Sequence, residues 1–257
     1  MSSKQTNYII AVDLDDTLLH SNGTVSERTL NTLKQCKEKG FILAVSSTRG
    51  FGSCKKIADQ ISADYVCCQA GNMIVDKHQN IIYKNPFKTE DVESIIETFS
   101  KHTDLIFVDS DFNLYGQVVN DFTKKWGVVY HDTNKLKNLN AYKLCVGYTE
   151  PLNNQIMEYC TQKGFVCRKM IDADYMFITP ANSNKFYALE QLAIICETNI
   201  SNLVVFGDDH SDLLSIQNAG FGVAMKNSKP EIIENAKYIT LSNDEDGVAD
   251  FLEKHFL

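Results

Sequence analysis

Tyr8-Ile9-Ile10-Ala11-Val12 runs directly into Asp13-Leu14-Asp15-Asp16-Thr17. The first five residues form an apolar run of strand length without alternation, as expected of a parallel strand covered on both faces. Three carboxylates within four residues follow it. They repel one another, so folding alone does not favour them there unless something positive compensates. A hard dication such as Mg²⁺, which takes oxygen ligands, is the simplest candidate. Period-2 alternation also lets Asp13 and Asp15 point the same way, one as nucleophile and one as acid/base. The alternative is an ordinary polar turn with Asp16 and Thr17 as turn or cap residues.

Working outward, three further apolar runs read as buried strands, at residues 41–45, 65–68 and 203–206. Helical patterns lie between them. Ser26 is a predicted cap for a helix ending at Gly40, and another helix is expected over 54–61. Strands alternating with helices of this length indicate βαβ units in a doubly wound, mostly parallel sheet. The middle of the chain reads differently. Helices at 89–100 and 152–163 are interleaved with strand candidates at 105–108, 143–148, 165–168 and 175–179. The βα pattern resumes with a helix over 185–196, the strand ending at Phe206 and a helix after Ser211. The reading is therefore an α/β core, residues 1–84 and 181–257, interrupted by an α+β insert at 85–180.

The chain has 257 residues, 44% of them hydrophobic, and a formal net charge of −8. That charge argues against nucleic acid and anionic membrane as partners. An anionic substrate therefore needs positive charge supplied locally. The apolar runs are too short to span a bilayer, and the first six residues lack a signal-peptide core, so a cytoplasmic location is expected. The eight cysteines are scattered without a C-x-x-C pair. They read as free, mostly buried thiols of a reducing compartment rather than as zinc ligands or disulfides.

Ligands of open α/β sheets bind beyond the carboxyl ends of the strands. The residues there are Asp13 and Asp15, then Ser46-Ser47-Thr48-Arg49, then Gly207-Asp208-Asp209-His210-Ser211-Asp212. Lys185 opens a helix after Ser183-Asn184. Carboxylates, hydroxyls and a lysine together suit phosphoryl transfer. One carboxylate attacks phosphorus, a second moves the proton, and the cationic groups hold the non-bridging oxygens.

These four motifs, in this order, resemble the haloacid dehalogenase superfamily of phosphatases, specifically its Cof-like branch with a large α/β cap. The resemblance covers nearly the whole chain. It implies a Rossmann-like core, Mg²⁺ as cofactor, and a cap that closes over the site and selects the leaving group. Asp13 in D-x-D-x-T matches the nucleophile, which is also a metal ligand. Asp15 matches the general acid/base, lending its backbone carbonyl to the metal. Ser47 and Arg49 stand in the usual T-G-R, giving phosphate contacts, with a surface salt bridge as the alternative for Arg49. Lys185 matches the phosphate-holding lysine. Asp208 and Asp212, in the family's G-D-x-x-N-D, match the remaining metal ligands.

Thr48, Phe186, Ala70 and Ser211 depart from the family pattern at a glycine, a glycine, an asparagine and an asparagine, respectively. They bear on substrate fit and metal affinity rather than on the reaction. Asp16, Asp209 and His210 read as loop residues. Arg168, Lys169, Asp172, Tyr115 and His131 are candidates for specificity, and Trp126 for a packing role in the insert. The expected activity is Mg²⁺-dependent hydrolysis of a small phosphorylated metabolite, such as a sugar phosphate, through an aspartyl phosphate. The alternatives are a phosphotransferase or phosphomutase acting on hexose phosphates, or a non-catalytic phospho-ligand-binding homologue. Oligomeric state is open.

Overall fold

The computed structural model describes residues 8–124, 127–169 and 174–257, with only the main chain at 121 and 122. Asp172 and Trp126 lie outside the described residues. In chain order the elements are β1 (Ile9–Val12), α1 (Glu27–Glu38), β2 (Ile42–Ser46), α2 (Phe51–Gln60), β3 (Tyr65–Cys68), β4 (Met73–Asp76) and β5 (Ile81–Lys84). There follow α3 (Thr89–Phe99), β6 (Ile106–Ser110), β7 (Asn113–Gly116), α4 (Asp121–Lys124), β8 (Val129–Tyr130) and α5 (Thr133–Lys137). Next come β9 (Ala141–Gly147), α6 (Glu150–Lys163), β10 (Val166–Lys169) and β11 (Tyr175–Thr179). The chain ends with α7 (Lys185–Ile195), β12 (Leu203–Gly207), α8 (Leu213–Asn218), β13 (Phe221–Ala224), α9 (Pro230–Asn235), β14 (Tyr238–Ile239) and α10 (Gly247–His255).

Two compact units result. One holds Met1–Arg49, Ser53–Tyr83 and Asn184–Leu257, the other Gly50–Gly52 and Lys84–Ser183. The first carries an eight-stranded sheet of order β14-β13-β12-β1-β2-β3-β4-β5. From β14 to β3 its pairings are parallel, and β4 turns back antiparallel on β3. β1 is buried along its whole length, as is β12, which accounts for their unbroken apolar sequences. β1 sits between β2 and β12, so the strand order reverses there, and the crevice beyond the carboxyl ends of these strands is the place for a ligand.

Local chemistry fixes the helix ends. The Ser26 hydroxyl accepts the Thr29 N–H at 3.0 Å, and α1 terminates before Gly40, whose φ of +88° lies in the left-handed region. The pair β4 and β5 enlarges the expected sheet. Its turn is set by Asp76, whose Oδ1 accepts the N–H groups of His78 and Asn80 at 2.9 and 2.8 Å.

The second unit is a six-stranded sheet of order β10-β11-β9-β6-β7-β8, antiparallel except for β7 beside β8. α3 and α6 bury Val92, Ile95, Ile96, Leu152 and Ile156 in one core with Ile106, Val108, Leu144 and Val146. The α/β class with a mostly parallel main sheet is thus as expected from the sequence. No helix among the described residues is long and apolar enough to cross a membrane. All eight cysteines are free, six of them buried and Cys167 and Cys196 half-buried.

Candidate active site

β1 ends at Val12, and the Asp13 N–H still donates to the Phe206 carbonyl at 3.1 Å, continuing the ladder with β12. The chain then enters a wide turn. Leu18 N–H donates to the Asp13 carbonyl at 3.2 Å and Leu19 N–H to the Leu14 carbonyl at 2.9 Å. Within it Asp15 is extended (φ −71°, ψ 134°) and Asp16 is left-handed (φ +53°), so the two carboxylates diverge from regular strand alternation. Asn227 Nδ2 donates to the Asp16 carbonyl at 2.7 Å, which ties the turn to the loop after β13.

Asp13 is 7% exposed and Asp212, at the end of the loop after β12, is 1% exposed. One oxygen from each, with one from Asp208, lie within 4.8 Å of one another. Lys185 Nζ stands between two of them, 2.7 Å from Asp13 Oδ1 and 2.8 Å from Asp212 Oδ1. Oδ2 of Asp212 accepts the Asp208 N–H at 3.3 Å. Lys185 is the first residue of α7 and only 3% exposed. The Asn184 side chain caps that helix by accepting the Tyr187 N–H at 2.7 Å.

Two glycines shape this centre. Gly71 has φ +89°, and a Cβ there would lie 2.0 Å from the Asn184 carbonyl oxygen. Only glycine permits the backbone to approach the start of α7 so closely. A Cβ on Gly207 would lie 2.3 Å from the Asp212 carboxyl carbon, so its absence gives that side chain its place. Thr17, a turn or cap residue only in the alternative reading of its sequence, donates its hydroxyl to Asp208 Oδ1 at 2.8 Å. Its position in the D-x-D-x-T motif is the signal that could have assigned it there.

Burial and crowding dominate the electrostatics. Burial raises the Asp13 pKa to about 7; the Asp212 charge adds to this and Lys185 opposes it. Burial likewise raises Asp208 to about 7, against the Thr17 hydrogen bond that favours its ionised form. Burial pulls the Lys185 pKa down, but Asp13 and Asp212 outweigh it, so the ammonium is held above its ordinary value. With one ammonium among three carboxylates, full ionisation leaves two negative charges uncompensated. An all-oxygen donor set with this deficit fits a hard dication such as Mg²⁺.

The sign of the pH dependence follows. A carboxyl whose pKa is raised from 3.8 to about 7 keeps its proton through the intervening range, and a cation must displace that proton. Affinity for Mg²⁺ is therefore expected to rise about tenfold or more per pH unit between about 5 and 7 and to level off above. Titrations of Mg²⁺ followed by thermal shift at several pH values measure this; a flat profile contradicts it.

The other sequence candidates separate. Ser47 is 1% exposed, and its Oγ accepts the Arg49 N–H at 3.2 Å. Asp15 is exposed and stays outside the carboxylate cluster, so only its main-chain carbonyl remains for a metal; its side chain is paired with Arg49, Nε to Oδ2 at 2.8 Å. Asp209 Oδ1 accepts the Ser211 N–H at 2.7 Å, and His210 pairs with the exposed Glu231 at 2.8 Å. In the second unit Tyr115 stacks on His131, with centroids 4.4 Å apart, while Arg168 and Lys169 are exposed. Sequence reading missed the buried pair Lys143–Asp109 of that unit, at 3.1 Å.

Proteins of similar sequence and fold match this chain over almost its whole length. YcsE of Bacillus subtilis, a 5-amino-6-(5-phospho-D-ribitylamino)uracil phosphatase, is 24% identical over 253 residues, covering 94% of this chain and 92% of the relative. The putative phosphatase YxeH of the same organism is 26% identical over 258 residues, covering 94% and 95%. A haloacid dehalogenase-like hydrolase from Bacteroides thetaiotaomicron superposes with a TM-score of 0.88 at 24% identity, covering 98% of this chain and all of the other. The family model for haloacid dehalogenase-like hydrolases matches residues 10–252. The chain belongs to the haloacid dehalogenase-like hydrolases.

Proposed function

We propose that this protein is a phosphatase that hydrolyses a small phosphomonoester through a phosphorylated Asp13. The single observation that carries the reading is the buried ammonium of Lys185 between Asp13 and Asp212, with Asp208 alongside. Such an arrangement keeps a carboxylate at a strand end in a fixed place beside positive charge, as attack on an anionic phosphoryl group requires. The phosphatases among its relatives support the same class of substrate, a small phosphorylated metabolite.

In the first step an oxygen of Asp13 forms a bond to phosphorus while the bond to the leaving oxygen breaks. Asp15 gives its proton to that oxygen. In the second step Asp15 takes a proton from water, the water oxygen bonds to phosphorus, and the bond to Asp13 breaks, releasing phosphate. Lys185 has three N–H donors, two directed at Asp13 and Asp212, so the third serves a phosphoryl oxygen. Ser47 supplies a hydroxyl to the same group. Asp13, Asp208 and Asp212 hold Mg²⁺, with the Asp15 carbonyl as a further oxygen donor. Bound there, the cation supplies charge that offsets the repulsion between nucleophile and substrate. The insert, residues 85–180, is assigned to choosing the leaving group.

A panel of phosphorylated metabolites and aryl phosphates, assayed for phosphate release with and without Mg²⁺, tests the proposal. Release from at least one ester is expected, with a loss of about 10²-fold or more in chelator. Absence of release from the whole panel counts against a phosphatase. Isomer formation from a hexose phosphate without release would replace it by a mutase.

A further inference from the structure

Arg49 and Asp15 form a forked ion pair inside the first unit. Arg49 Nε donates to Asp15 Oδ2 at 2.8 Å, and Nη2 donates to Oδ1. The backbone of Arg49 is fixed on both sides. Its N–H donates to Ser47 Oγ at 3.2 Å, and its carbonyl accepts the Gln69 N–H at 2.8 Å. Ser47 is itself held by its N–H, which donates to the Cys67 carbonyl at 2.9 Å. The guanidinium thus projects from an anchored loop. Its partner does not have that anchorage: the Asp15 side chain is 58% exposed and sits beside the left-handed Asp16.

An exposed ion pair contributes little to stability. A fork that engages both carboxylate oxygens does something else: it selects one orientation of the carboxylate plane. Asp15 lies outside the buried carboxylate cluster, and its side chain is held by Arg49. The fork suits a carboxylate only. A protonated Asp15 can keep one of the two contacts, because the oxygen bearing the proton becomes a donor.

We infer that Arg49 is a positioning residue for proton transfer at Asp15 rather than a ligand of the phosphoryl group. The inference rests on the acid/base part given to Asp15 above. When Asp15 passes its proton to the leaving oxygen, the carboxylate left behind closes into the fork, so the charge produced in that step is met by a guanidinium already in place. In the second step the same fork aims the carboxylate that accepts a proton from water. The benefit depends on the leaving group. An alkoxide departs only with a proton, whereas 4-nitrophenolate departs without one, so only the first should feel the loss of Arg49.

The experiment compares kcat/KM, which reports the steps through departure of the leaving group, for an alkyl phosphate and 4-nitrophenyl phosphate. Wild type, Arg49→Gln and Arg49→Lys are measured, with inorganic phosphate as the probe of the phosphoryl site. Arg49→Gln is expected to lose about 10- to 100-fold on the alkyl ester and under about threefold on the aryl ester, with the inhibition constant for phosphate changed by less than about twofold. Arg49→Lys keeps the charge without the fork and is expected to retain the selective loss; should Arg49→Gln fold poorly, this variant carries the test alone. Equal losses on both esters with weakened phosphate binding would make Arg49 a phosphate ligand and overturn the inference. Unchanged kcat/KM on both, or full recovery with lysine, overturns it as well. If wild type releases phosphate from neither ester nor the metabolite panel, the phosphatase reading fails first and takes this one with it.

Discussion

Asp13→Asn is expected to lower Mg²⁺-dependent phosphate release by about 10⁴-fold or more, an increase in barrier of ~5 kcal/mol. The amide keeps the shape of the side chain but has no anionic oxygen to bond to phosphorus. Acid/base groups and charge stabilisation that remain cannot substitute, because loss of a nucleophile removes the pathway and not merely one contribution to it. Stability separates this from misfolding. The Asp13 pKa is raised from 3.8 to about 7, mainly by burial. Its stabilising contribution is therefore present below about pH 4 and lost as pH rises through about 7. In chelator at about pH 8, where the wild-type carboxylate is ionised at a cost, the asparagine variant should melt no lower than wild type. Turnover by Asp13→Asn near the wild-type rate would remove the covalent mechanism.

The second large effect belongs to Lys185→Met. The ammonium is 3% exposed and lies within 2.8 Å of both Asp13 and Asp212. Removing one partner of a buried ionic group leaves the other charges without compensation, a loss of about 3–5 kcal/mol. Without the ammonium, Asp13 and Asp212 hold their protons to higher pH. At about pH 5, below the raised Asp13 pKa, the variant is less destabilised; at about pH 8 in chelator the full loss is expected. Added Mg²⁺ should restore part of it, since a dication offsets the same charge. Turnover should still fall by about 10³-fold, because the phosphoryl contact proposed for the lysine is lost as well. Denaturant melts at both pH values, with and without Mg²⁺, measure the pattern. Equal destabilisation at both would mean that lost packing, not charge, is what the substitution removes.

Several parts of the site were legible in one dimension because their physics is local. β1 and β12 are buried on both faces, so their sequences are apolar throughout, and whatever follows them stands at the strand ends. That placed Asp13 and Asp208 without any structure. Helix caps are equally local: Ser26 announces α1 through a hydrogen bond spanning three residues. The pair β4 and β5 was less legible, since two four-residue strands joined by a short turn give too few residues for periodicity to act on.

What no local rule contains is distance between side chains far apart in sequence. The sequence by itself determined the class of fold, the strand ends that carry chemistry and the opening of α7 by Lys185. Tertiary structure alone decided that Lys185 is buried rather than solvated, because the close approach of Gly71 to Asn184 and the placement of Asp212 beside Gly207 bring its partners in. It also decided that Asp13 and Asp15, equivalent by spacing, part company. The turn after β1 leaves strand geometry at Asp16, so Asp13 enters the buried cluster while Asp15 reaches Arg49. Burial and pair distances are properties of the packed chain, and at this site they set which carboxylate is crowded against Lys185 in the interior and which pairs with Arg49 nearer the surface.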